Sequence, residues 1–110
     1  MQYSCAEIWK LPTTRQFAEV VAAMSDAQTM QRFLRDVMTE KEILEISARL
    51  EAAKMLKAGT KYTEVIEATK LSSRTIARIS DWMQNGQGGY AAALDLIDMH
   101  RIHLPPARAE

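Results

Sequence analysis

Ser72, Ser73, Arg74 and Ala77 bring two hydroxyls, a guanidinium and a small side chain into one short stretch of this 110-residue chain. A guanidinium in the first turn of a helix can pair with the edge of a guanine, and hydroxyls can reach bases directly or through water. The residues around them have the spacing of two short helices and a tight turn. Tyr62-Thr63-Glu64-Val65-Ile66-Glu67-Ala68 leads into Leu71-Ser72-Ser73-Arg74-Thr75-Ile76-Ala77-Arg78-Ile79. Val65, Leu71, Ile76 and Ile79 are the candidates to bury themselves and fix the angle between the helices, with Ser72 capping the second and Arg78 directed back toward the body. This is the outline of a helix-turn-helix over about residues 61–84, whose second helix can enter a major groove. Lys54, Lys57, Lys61 and Lys70 are candidates to anchor phosphates, and Thr63 joins the DNA-binding set. Lys70 stands where such turns commonly carry glycine, so the bend requires a lysine at positive φ. The competing structural reading is a plain helical hairpin within a bundle.

Other chemistry has less support. His100 and His103 lie one turn apart, but no cysteine or carboxylate cluster joins them as metal ligands. Glu64 and Glu67 read as a solvated helix face rather than an acid–base pair. Gly86-Gln87-Gly88-Gly89 lacks both the Lys-Ser/Thr continuation and the preceding strand of a phosphate-binding loop, so it reads as a flexible connection. The expectation is a protein that is not an enzyme and uses no cofactor or metal.

Helices must position the reading residues. Four glycines and three prolines, among many Ala, Leu, Met, Glu, Lys and Gln residues, favour an all-α chain of about six helices. Pro12, Thr13 and Thr14 can start the first, with Phe17, Val20, Val21 and Met24 at i, i+3, i+4, i+7. Ser25-Asp26 opens the second, which carries Met30, Phe33, Leu34, Val37 and Met38 and ends near Met38. Thr39 and Glu42 have the spacing of a capping box for the third. Its stripe runs through Ile43, Ile46, Leu50 and Ala53, widened by Leu44, Met55 and Leu56, and Gly59 stops it. Helices at about 61–69 and 72–84 follow, then a glycine-rich loop and a last helix over about 90–102 through Leu94 and Ile97. Residues 1–11 are an apolar scatter of Tyr3, Ile8, Trp9 and Leu11. Residues 103–110, with Pro105-Pro106, read as a disordered tail. No repeat or internal linker interrupts the chain, so residues 1–110 are expected to form one all-helical DNA-binding domain, small enough to gain from a partner subunit.

The formal net charge is zero. Charge is unevenly placed, however: residues 52–84 carry six lysines and arginines against three acids, a local +3 that leaves −3 for the rest. A basic segment on an acidic body can orient a protein on phosphates without making it adhesive everywhere. Cys5 is the only cysteine, which excludes an intrachain disulfide and suits a reducing compartment. Phe17 to Met24 is too short to cross a bilayer and lacks a basic leader, so the expectation is a cytoplasmic protein with no membrane partner.

With the third helix read alongside the motif, the chain resembles the Trp repressor superfamily, and more closely its YerC/YecD-type regulators. The resemblance is carried by Phe33-Leu34-Arg35-Asp36-Val37-Met38-Thr39-Glu40, Ser47-Ala48-Arg49-Leu50-Glu51-Ala52-Ala53-Lys54-Met55-Leu56, Ser72 to Ile79, and the turn from Asn85-Gly86 to Tyr90. It spans about residues 17–100. It implies an intertwined homodimer whose two reading heads grip successive major grooves of double-stranded DNA. It also implies an effector pocket. In the Trp repressor two arginines enclose the indole of bound tryptophan and a threonine lines the same pocket, and Arg49, Arg78 and Thr39 occupy the matching places. A glycine follows the second arginine there, whereas Ile79 stands here, with Trp82 one turn beyond Arg78 as a candidate to fill the space through a cation–π contact. The expected effector is therefore none, or an unknown small molecule other than L-tryptophan. The expectation is a sequence-specific DNA-binding transcriptional regulator that acts as a repressor; the alternative is a helical protein–protein interaction module that does not bind DNA.

Overall fold

The computed structural model describes Ser4 and residues 7–99. A short 3-10 turn, Glu7–Lys10, precedes six α-helices: α1 Pro12–Ala23, α2 Ala27–Val37, α3 Glu40–Lys57, α4 Tyr62–Thr69, α5 Ser73–Asn85 and α6 Gly89–Asp98. The described residues contain no strand, as the composition predicts. They fall into two compact units divided between Leu44 and Glu45, within α3. The proposed tail at 103–110, together with Tyr3, Cys5, His100, Arg101 and His103, lies outside the described residues.

In the first unit the helix ends follow local chemistry. Pro12 occupies the first turn of α1, where its missing N–H costs no hydrogen bond. The Thr14 hydroxyl donates to the carbonyls of Ile8 and Leu11, tying the 3-10 turn to α1. Asp26 caps α2 by accepting from the Thr29 amide at 2.9 Å and the Thr29 hydroxyl at 2.7 Å. The hydroxyl bond first, and the amide bond second, hold the Asp26 carboxyl below its ordinary pKa. The cap therefore contributes above the ordinary carboxylate range and is lost as pH falls through the lowered value. The capping box forms as its spacing predicts: Thr39 N–H donates to Glu42 Oε1 at 2.8 Å and Glu42 N–H donates to Thr39 Oγ1 at 3.1 Å. Phe17 and Phe33 pack with ring centroids 5.9 Å apart. No residue of α1 or α2 is buried, and Phe17, Val20 and Val37 remain exposed.

The second unit holds the core. Ala52 and Ala53 of α3, Val65 of α4, and Ile76 and Ile79 of α5 are fully buried, and Leu94 of α6 is nearly so. Leu50, Met55, Leu56, Ile66, Leu71, Met83, Tyr90 and Ile97 pack around them. The predicted stripe of α3 is only partly a core stripe, because Leu44 and Ile46 are more than half exposed. Ala52 and Ala53, small enough to admit close neighbours, carry the contact instead. Gly59, at φ 86°, ends α3 through a paired closure in which its own N–H reaches Leu56 O and Thr60 N–H reaches Met55 O, both at 3.0 Å.

Between α4 and α5 the chain turns through Lys70, at φ 63° and ψ 15°, the only non-glycine residue at positive φ among those described. Its N–H closes α4 on Ile66 O at 2.8 Å, and the Thr69 hydroxyl donates to Val65 O while accepting from Leu71 N–H. The left-handed conformation crowds the lysine Cβ against the backbone, which a glycine avoids. Lys70→Gly is therefore expected to raise the unfolding free energy by about 0.5–1 kcal/mol in urea denaturation. An unchanged or lowered midpoint would contradict the strain argument.

Candidate nucleic-acid interface and adjoining groove

Helix α5 is held from one side and open on the other. Ile76 and Ile79 are fully buried, whereas Ser72, Ser73, Arg74 and Ala77 are exposed at its start. Ser72 is the N-cap: its Oγ accepts from Thr75 N–H at 3.1 Å and donates to Thr75 Oγ1 at 3.1 Å. The amides of Ser73 and Arg74, the first two helical residues, have no partner within the helix and sit at its positive end, an arrangement suited to an anion such as phosphate. Among the described residues, Arg74 makes no ion pair that would hold its guanidinium back.

The lysines divide. Lys61, the N-cap residue of α4, and Lys70, in the turn, are exposed and without an ion pair among the described residues, and Thr63 is exposed in the first turn of α4. Lys54 pairs along its own helix with Glu51 at 3.3 Å. Lys57 reaches Asp98 on α6, with Nζ 2.6 Å from Oδ2. The hydrogen bond to Asp98, with the charges of Asp98 and Asp95 beside it, raises the lysine's pKa and keeps it protonated.

The residues of the expected effector pocket are divided between the two units, Thr39 in the first and Arg49, Arg78, Ile79 and Trp82 in the second. Arg49 and Trp82 line one groove of about 500 Å³ together with Ile46, Leu50, Gln87, Gly89, Tyr90 and Ala93. Arg78 is exposed and is not part of that lining, contrary to the expectation that it turns back toward the body. Ile79 is wholly within the core. Thr39 belongs to the first unit, where its hydroxyl serves the capping box. Arg49 Nη2 donates to Glu45 Oε2 at 2.9 Å, while its Nε is buried without a hydrogen-bond partner. Burial raises the pKa of the Tyr90 phenol, with the Arg49 charge partly opposing, so the ring presents a neutral hydroxyl.

Sequence reasoning missed Tyr90 as a groove residue and Asp98 as a partner of Lys57. Neither has a local signal, since Lys57 and Asp98 are 41 positions apart. Gly86 does carry one: a Cβ there would run into the carbonyl oxygen of Trp82, so only glycine lets α5 end beside the groove. His100 and His103 lie outside the described residues, among which no three His, Cys, Asp or Glu side chains gather as metal ligands. No helix among the described residues is long and apolar enough to cross a membrane.

A chain whose described residues form six α-helices and present the start of α5 from a buried α4–α5 pair has the architecture of a helix-turn-helix protein. Residues 13–97 match the family model described as Trp repressor protein, and the chain belongs to that family of helix-turn-helix regulators. It is 32% identical over 82 residues to the Bacillus subtilis (strain 168) protein described as uncharacterized protein YerC, a match that covers 74% of this chain and 79% of the relative. Among solved structures, a TrpR-like protein from Eubacterium eligens ATCC 27750 superimposes with a TM-score of 0.78 at 30% identity, covering 84% of this chain and 96% of the other. A protein from Staphylococcus aureus described as a candidate Trp repressor gives a TM-score of 0.78 at 25% identity, with 87% and 96% covered.

Proposed function

We propose that this chain is a sequence-specific DNA-binding transcriptional repressor that acts in the cytoplasm as a homodimer, with α5 as the helix that enters the major groove. The observation that carries this reading is the two-sidedness of α5: Ile76 and Ile79 are fully buried, and Ser73, Arg74 and Ala77 are exposed one helical face away. Arg74 reads bases, Ser72 and Ser73 contribute through water or backbone contacts, and Lys61, Thr63 and Lys70 position the protein on phosphates. Lys54 and Lys57 are engaged by Glu51 and Asp98 and stand outside this set.

Dimerisation is supported by the first unit, in which no residue of α1 or α2 is buried and Phe17, Val20 and Val37 remain exposed. Such stripes are stabilised when a second chain covers them, so folding and association are coupled. Two heads related by a twofold axis would then meet half-sites about one helical turn, roughly 34 Å, apart.

An effector, where one acts, is a small molecule other than L-tryptophan. Within the second unit Arg78 is exposed and does not line the Arg49 groove, and Trp82 itself forms part of its wall. The pairing with Glu45 gives Arg49 a structural partner.

Three outcomes are expected. Arg74→Ala flattens the preference between good and poor sites by about 1–3 kcal/mol, whereas Lys70→Ala weakens all sites alike and makes the salt dependence shallower; equal losses on every sequence for Arg74→Ala would sink the assignment. In analytical sedimentation the protein is a dimer, and Phe33→Asp, which puts a charge beside Phe17, abolishes folding and DNA binding; a compact wild-type monomer at all concentrations would contradict this. Calorimetric titration with L-tryptophan gives no binding heat and no change in DNA affinity; micromolar binding that tightens the DNA complex would show the pocket argument to be wrong.

A further inference from the structure

We propose that Asp98 limits the protein's affinity for DNA by holding Lys57 away from phosphate, making the last turn of α6 a restraint on the reading head. The inference rests on the regulator reading above. The ion pairs of Arg15 with Glu19, Arg49 with Glu45 and Lys54 with Glu51 each lie within three or four residues along one helix. Lys57–Asp98 is the ion pair that joins different helices among the described residues, and it is also the shortest, at 2.6 Å.

Its geometry is imposed by packing. Leu94 is almost completely buried and Ile97 packs on the same core, so α6 presents Asp95 and Asp98 to the end of α3 from a fixed position. The closed turn at Gly59 then brings the end of α3 back to the start of α4. Lys57, Thr60, Tyr62 and Asp95 line a single cleft of about 480 Å³ there. Lys57 therefore flanks the same turn as Lys61 and Thr63, the groups assigned to phosphate.

A phosphate oxygen and the Asp98 carboxylate compete for one ammonium. Lys57 with Asp98 and Asp95 beside it sums to a local net charge of −1, where Lys57 alone would present +1 to an approaching duplex. Both side chains of the pair are about half exposed, so the contact is weak enough to exchange. Asp98 thus lowers affinity for every sequence while leaving base discrimination by Arg74 untouched.

The test is titration of a mixed-sequence duplex and of a preferred site over a range of salt concentrations, with thermal unfolding followed in parallel. Asp98→Asn, which removes the charge and keeps the shape, is expected to tighten both duplexes by about two- to fivefold at low salt and to steepen the slope of log K against log salt by about 0.9, as one added phosphate contact requires. In a Lys57→Met background the same Asp98→Asn change is expected to alter neither affinity nor slope. Wild-type binding with no gain in Asp98→Asn overturns the inference alone, as does a gain of equal size in the Lys57→Met background, which would assign the effect to general charge. Loss of folding in Asp98→Asn would make the pair a structural requirement and also overturn it. No salt-dependent duplex binding by any of these proteins overturns the regulator reading together with this one.

Discussion

The direction in which α5 points depends on the buried cluster of Ala52, Ala53, Val65, Ile76, Ile79 and Leu94. These residues come from four helices, and α4, with only eight residues, is too short to be stable by itself in water. Burial is what holds it. Because the contacts are dispersive and close-packed, a change of even one methylene at Ile76 or Ile79 would alter the angle at which Ser73, Arg74 and Ala77 are presented. The hydrogen bonds at Lys70 and Ser72 act on top of that packing: they close one helix, start the next and leave the first two amides of α5 exposed with its arginine.

Much of this was legible in the sequence because the signals are local. The Thr39/Glu42 box, the Asp26 cap, the stop at Gly59 and the cap at Ser72 each depend on residues within a turn of one another, and all form. The strained turn at Lys70 was legible for the same reason. Side-chain destinations were harder. Ile46 keeps perfect helical spacing with Leu50 and Ala53 yet stays exposed, because spacing identifies a stripe but not the surface that covers it. Arg78 was expected to turn inward and is exposed, since α5 already devotes its buried face to Ile76 and Ile79. The pairing of Lys57 with Asp98 depends on where α6 docks, and no window of sequence contains both residues.

Two kinds of surface remain open in consequence. One is apolar, on the helices of the first unit, where Phe17, Val20 and Val37 lack cover; the other is polar and cationic, at the start of α5 and the turn before it. Hydrophobic cover and phosphate attraction respond in opposite ways to salt, so the proposed association and the proposed DNA binding are separable by ionic strength. The neutral total charge suits this division, because the basic segment at 52–84 offers local positive charge while the remainder of the chain carries the compensating acids.

The central claim, that α5 is the element that meets DNA, is tested most directly by following backbone amide resonances while a preferred duplex is titrated into the protein. The account predicts that the largest shifts fall on Ser73, Arg74 and Ala77, with smaller ones at Lys61, Thr63 and Lys70. Shifts concentrated on α1 and α2 with none at the start of α5, or no shifts at any salt concentration, would contradict it.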